Sequence, residues 1–121
     1  MSKPRILVAR AIFSDIVDRL REHFDVEANP DDVIWTQQEL AERLADKDGV
    51  LTTGSQRVDA ALLAAAPRLK ICANMAVGYN NFDVDAMTAA GVQGTNTPDV
   101  LTETTADFGF ALLMATARRL T

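Results

Sequence analysis

Short apolar runs alternate along this chain with stretches in which apolar residues recur every three or four positions. Ile6-Leu7-Val8-Ala9 is wholly apolar, as a strand buried on both faces would be. Ile12, Phe13, Ile16, Val17, Leu20 and Phe24 follow at helical spacing with charges between them, which predicts an amphipathic helix. Phe24 to Glu27 reads as a second strand, and Asn29-Pro30-Asp31-Asp32 as a turn. Thr36-Gln37-Gln38-Glu39 has capping-box spacing and opens a helix through Leu40 and Leu44. Gly49 to Thr53 is a third strand. Gly54-Ser55 then turns the chain into an alanine-rich helix that starts near Asp59 and ends at Pro67. Leu69 to Ala73 is a fourth strand and Val92 to Thr95 a fifth. Between them Asp83 caps a helix from Val84 to Ala90, which Gly91 closes.

The order β-α-β-α-β-α-β-α-β-α implies a parallel sheet with helices on both faces. Five strands in a chain of this length predict an α/β fold, a flavodoxin-like doubly wound parallel sheet of strand order 2-1-3-4-5, plus a long C-terminal helix. That last helix, capped by Thr102 and running to about Arg119, differs from the others. Ala106, Phe108, Phe110, Ala111, Leu112, Leu113, Met114, Ala115 and Ala117 cover nearly its whole circumference. Such a helix is expected to be buried on more than one side, whereas this sheet offers it one face. The chain stops at Thr121 directly after it, with no ordinary ending. The expected organisation is a domain over residues 1–100 and a separate C-terminal helix over residues 101–121. Self-association as a homodimer through that helix is expected, with exchange between subunits as one form of it.

Composition narrows the class of function. The 121 residues are 48% hydrophobic and 24% charged, with a formal net charge of −5, which describes a globular domain and argues against nucleic acid or an anionic membrane as the partner. No apolar run reaches the roughly 18 residues of a membrane span, and residues 1–5 lead straight into a strand, so cytoplasm is the expected location. The single cysteine excludes an internal disulfide and a cysteine-built metal site.

Candidate chemistry concentrates in the stretch from Ile71 to Asp83. It reads as strand, small-residue loop and helix, with the loop at the carboxyl end of the strand, where ligands bind in open α/β sheets. Gly78 lets the backbone approach a ligand and tolerates unusual φ/ψ angles, and free N–H groups there can form an anion-binding concavity. A βα connection with a structural glycine fits the same spacing. Elsewhere no three glycines have G-x-G-x-x-G spacing. Gly49 to Gly54 has the two glycines of a P-loop, but Ser55-Gln56 replaces its lysine and hydroxyl residue. Thr52, Thr53 and Ser55 read as turn or cap hydroxyls. His23, the only histidine, reads as a solvated helix-end residue, and Cys72 as an inert core residue. Asp99, Glu103 and Asp107 flank or enter the last helix and read as partners of its dipole. No self-sufficient catalytic set emerges.

Four segments occur together in order: Leu51-Thr52-Thr53, Pro67-Arg68-Leu69-Lys70, Asn74 to Asp83, and Asn96 to Asp107. In these the chain resembles the N-terminal part of the D-isomer-specific 2-hydroxyacid dehydrogenases, and within them the glyoxylate/hydroxypyruvate reductases. The resemblance implies the first segment of a substrate (catalytic) domain and, in residues 101–121, its connecting helix, truncated before the NAD-binding domain. It implies a substrate site at Thr53, Ala76, Val77 and Gly78, with backbone N–H groups holding a carboxylate, and an approach to the nicotinamide by Val77 and Thr105. The implied ligands are a small 2-oxo or 2-hydroxy acid and, in the parent family, NAD(P). No cofactor is expected in this chain, because the dinucleotide fingerprint, the ribose-binding acid, the catalytic arginine, the glutamate and the acid–base histidine are all missing. The chain alone is therefore expected to be inactive as an oxidoreductase. The rival reading is a stand-alone, non-enzymatic module that self-associates or binds a small anion. A third is a chain that works only with a separately supplied second half.

Overall fold

A computed structural model describes residues 2–120. Strands β1 (Arg5–Val8), β2 (Asp25–Glu27), β3 (Gly49–Thr52), β4 (Ile71–Asn74) and β5 (Gln93–Thr95) alternate with helices α1 (Ser14–His23), α2 (Gln37–Leu44), α3 (Ala60–Ala65), α4 (Val84–Ala90) and α5 (Thr102–Arg118). The strands form one parallel sheet in the order β2-β1-β3-β4-β5, as the alternation predicts. Ile6 pairs with both Val26 and Gly49, and Val50 with Cys72.

Local chemistry explains most boundaries. Thr36 and Glu39 close a reciprocal capping box, and the side chains of Asp59 and Asp83 accept from Leu62 N–H and Ala86 N–H. Gly91 ends α4 at φ 69°, a left-handed conformation that a side chain would oppose. The core lies on one face of the sheet. Leu7, Val50, Cys72 and Val92 meet Leu40 and Leu44 of α2, Leu62 and Leu63 of α3, and Met87 of α4. Right-handed crossovers put α1 on the other face, because the chain reverses direction across the sheet after β2. There α1 buries only Val17, beside Val8; Ile12 and Phe13, expected within that helix, precede it, and Phe13 is exposed.

The last helix departs further from expectation. Its N-terminal boundary residue is Leu101, with no side-chain cap, so Thr102 is its first residue and not its cap. None of its residues is buried, and Phe108 and Phe110 are 65% and 64% exposed. The apolar surface that should lie buried on more than one side touches no face of this chain's own sheet to any extent among the described residues. Leu51 and Ala73 on the α1 side of the sheet are half-buried, and Ile71 is exposed. The accessible area is 8304 Å² for a 13.1 kDa chain. A compact monomer of that mass exposes about 6400 Å². The helix α5, none of whose residues is buried, contributes to that excess. Among the described residues no helix is long and apolar enough to cross a membrane.

Candidate functional site: an anion loop at the carboxyl edge of the sheet

Three strand ends meet where β1, β3 and β4 deliver their loops. After β4 the chain forms the exposed loop Met75 to Asn80, and three of its successive carbonyls are tied down. Thr97 N–H donates to Ala76 O at 3.0 Å, Asn96 Nδ2 to Val77 O at 2.8 Å, and Asn74 Nδ2 to Gly78 O at 3.1 Å. A trans peptide points its N–H opposite its carbonyl, so the N–H groups of Val77, Gly78 and Tyr79 turn away from these anchors. No acceptor meets any of the three among the described residues. Val77, Gly78 and Tyr79 are exposed, and Ala76 is half-buried. The result is a row of unpaired donors facing open space, with the partial positive charge that binds an anion.

Gly78 is not there for unusual torsion angles. Gly91 is the only glycine with positive φ, and a Cβ built on Gly78 meets nothing within 4 Å. Neither backbone nor neighbours demand a glycine, whereas a ligand closing on the N–H row would.

Thr53 borders this loop through Asn81. The Asn81 Nδ2 donates to Thr53 O at 3.2 Å and to Gln56 O at 2.8 Å, while its Oδ1 accepts from Asn74 Nδ2 at 3.0 Å. The Thr53 hydroxyl lies 2.8 Å from Ser55 Oγ and donates to Gln56 Oε1 at 3.1 Å, as expected for a turn hydroxyl. Ser55 in turn accepts from Arg10 Nη1 at 3.2 Å. Arg10 grips Asp32 through two bonds of 2.7 Å, and Ala11 N–H adds a third to the same carboxylate. These donors hold the Asp32 carboxyl well below the usual carboxylate range, the Arg10 guanidinium contributing most. Asp32 sits at φ 51°, a left-handed position that aspartate tolerates better than most residues.

The other residues singled out from sequence stand apart from this cluster. Thr105 is exposed on the first turn of α5, and no described hydrogen bond ties its side chain to the loop. His23 is the last, exposed residue of α1. Cys72 is fully buried, and burial pushes its thiol up to about 12. The residues that hold the loop were not singled out. Their one signal is asparagine, a poor strand former, standing at the end of an apolar strand at Asn74.

Comparison with known proteins identifies the family. Residues 6–119 match the family model described as D-isomer specific 2-hydroxyacid dehydrogenase, catalytic domain. Glyoxylate reductases of Thermococcus gammatolerans and Thermococcus onnurineus are 49% and 50% identical over 118 residues, 98% of this chain. The chain spans 35% of the length of each. Among solved structures, a Thermus thermophilus protein superposes with a TM-score of 0.82 at 38% identity, covering 96% of this chain and 37% of that one. An NADPH-dependent glyoxylate/hydroxypyruvate reductase of Sinorhizobium meliloti, in complex with citrate, gives 0.74 at 36% identity over 96% of this chain and 35% of that one. The family match over nearly all described residues and the shared fold converge: the chain belongs to the D-isomer specific 2-hydroxyacid dehydrogenases, in the part that forms their catalytic domain.

Proposed function

We propose that this chain supplies the substrate-orienting part of an NAD(P)-dependent D-2-hydroxyacid dehydrogenase of the glyoxylate/hydroxypyruvate reductase type. The carrying observation is the row of N–H groups at Val77, Gly78 and Tyr79, each without an acceptor and each on a peptide whose carbonyl is pinned. A 2-oxo acid presents a carboxylate, and two or three such N–H groups match its oxygens. Ala76, Val77 and Gly78 form this site, and Thr53 borders it. Two carboxylate complexes of the Sinorhizobium reductase, one with citrate and one with NADP and malonate, suit the same reading.

Reduced nicotinamide would supply hydride in such a reaction, and Val77 and Thr105 are the residues of this chain that would approach it. The sequence holds no G-x-G-x-x-G fingerprint, so these residues do not fit a dinucleotide by themselves. The part assigned to them is to bind and orient the acid. Residues 1–100 form the substrate domain and residues 101–121 the connecting helix. The exposed apolar surface of α5 joins two copies in a homodimer, with or without exchange of the helix. The excess exposed area is about 1900 Å² by the mass scaling, more than twice the roughly 800 Å² per partner of a standard interface. The buried, free cysteine suits a cytoplasmic protein.

Titration with glyoxylate or oxalate tests the site. Amide NMR signals of residues 76–79 should move with a millimolar dissociation constant, about 4 kcal/mol of binding. Pure chain should show no glyoxylate-dependent oxidation of NADH or NADPH. Shifts confined to other residues, or none at about 50 mM acid, overturn the proposal.

A further inference from the structure

The loop's anchors differ in kind. Thr97 offers a main-chain N–H and Asn96 is half-buried, but Asn74 is 2% exposed and sits beneath the loop at the end of β4. Its carboxamide is the buried link in a chain of hydrogen bonds with a determined direction. The carbonyls of Thr53 and Gln56 only accept, so the NH₂ of Asn81 must face them. The Oδ1 of Asn81 then faces Asn74 and demands a donor there, which sets the NH₂ of Asn74 toward Asn81 and Gly78. The remaining Oδ1 of Asn74 accepts from the Thr52 hydroxyl at 2.9 Å and, at 3.3 Å, from the Asn81 NH₂, so the two amides face each other reciprocally. Every atom of the relay is satisfied with the Gly78 carbonyl drawn inward, and an amide flip at either asparagine would set donor against donor or acceptor against acceptor.

We propose that Asn74 is a positioning residue for the carboxylate loop: by holding the Gly78 carbonyl inward it turns the Tyr79 N–H outward as a third donor to the bound acid, and Asn81 sets the orientation of the Asn74 amide. This rests on the carboxylate reading of the loop. Without Asn74 the Gly78–Tyr79 peptide is free to rotate, because a Cβ at Gly78 would touch nothing and the residues on either side are exposed. Two donors then remain, those of Val77 and Gly78, held from the β5 side.

The test starts with the unmodified full chain. Amide hydrogen exchange should show a protected Asn74 NH₂ and an unprotected Tyr79 N–H, and oxalate should slow exchange at Tyr79 together with Val77 and Gly78. Asn74→Ala and Asn81→Ala, compared by their own melting curves, should each weaken oxalate binding about tenfold or more while shifting the Gly78 and Tyr79 amides. Asn74→Asp places a carboxylate against the Gly78 carbonyl and should be the weaker binder of the two Asn74 variants. Protection at Val77 and Gly78 but not Tyr79, or folded variants that bind within twofold of the parent, overturns the role of Asn74 and leaves the carboxylate site standing. Should the variants not fold, the exchange result on the unmodified chain decides alone. Absence of any oxalate effect at residues 76–79 removes the carboxylate site and this inference with it.

Discussion

Replacing Gly78 with alanine sets the two meanings of a loop glycine against each other. A glycine needed by the fold would lose stability on gaining a methyl group. At Gly78 the φ angle is not positive, and a built Cβ finds no atom within 4 Å. The folded state therefore accepts the methyl without strain, and the unfolded chain loses freedom. The expected change is a gain of about 0.4–1 kcal/mol. For a chain of this size that corresponds to a rise of about 1–5 °C in Tm. Binding should move the other way. The methyl occupies the open space beside the Val77, Gly78 and Tyr79 N–H groups, where a carboxylate oxygen must come within about 3 Å of a donor nitrogen. A loss of at least tenfold in oxalate affinity, about 1.4 kcal/mol, is expected. Calorimetry and amide titration on the same samples measure both. A variant that melts lower by more than about 1 kcal/mol and still binds oxalate would show that the glycine serves the backbone, and would refute the reasoning.

Three further outcomes follow from packing and charge. Removal of residues 101–121 should leave a soluble, folded monomer, since α5 buries no residue within its own chain; sedimentation equilibrium checks the monomer, and calorimetry should show a Tm that depends on concentration in the parent but not in the shortened chain. Asp32 has a lowered pKa, so its stabilising contribution is fully present above its unfolded value near 4 and is lost as pH falls from there toward the folded value. Asp32→Asn should accordingly lower stability at neutral pH and flatten its decline on acidification, as read from urea midpoints at several pH values. Cys72 should resist thiol reagents in the folded chain and react at once on denaturation, because its thiol is buried and its pKa is raised to about 12.

The sheet was legible because its determinants are local and periodic. Apolar runs mark the central strands β1, β3 and β4, while the edge strands β2 and β5 are polar and follow from the alternation; Thr36, Asp59, Asp83 and Gly91 sit where caps are needed, and each does its job. The structure differs where one face of the last helix was expected to lie on the chain's own sheet, since none of its described residues is buried there. The last helix is apolar all round, yet what periodicity cannot encode is whether anything covers it. Phe13 misled for a related reason: its spacing suits the α1 stripe, but it stands just before the helix and is exposed. The loop was visible from its small residues and its place after β4. Its mechanism was not, because the anchors are distant in sequence: Asn96 lies 19 residues from Val77, and Asn81 lies 28 from Thr53. The Arg10–Asp32 pair spans 22 residues and hides in what reads as a plain turn.

The two bonds from Asn96 and Thr97 to the loop have a mechanical consequence. They stitch the segment leaving β5 to the anion loop, so that segment moves as one piece with it as far as Thr97. Beyond the stitch come Pro98 and Asp99, the latter at φ 64°, and then the start of α5. No strand or helix holds residues 98–101. A torque applied to α5, a lever of about 25 Å at 1.5 Å per residue, is therefore absorbed at residues 98–101 before it reaches the loop. Rotation of α5 about residues 98–101 therefore leaves the Val77, Gly78 and Tyr79 N–H groups where the stitch holds them, so the direction of the helix and the geometry of the loop are set independently.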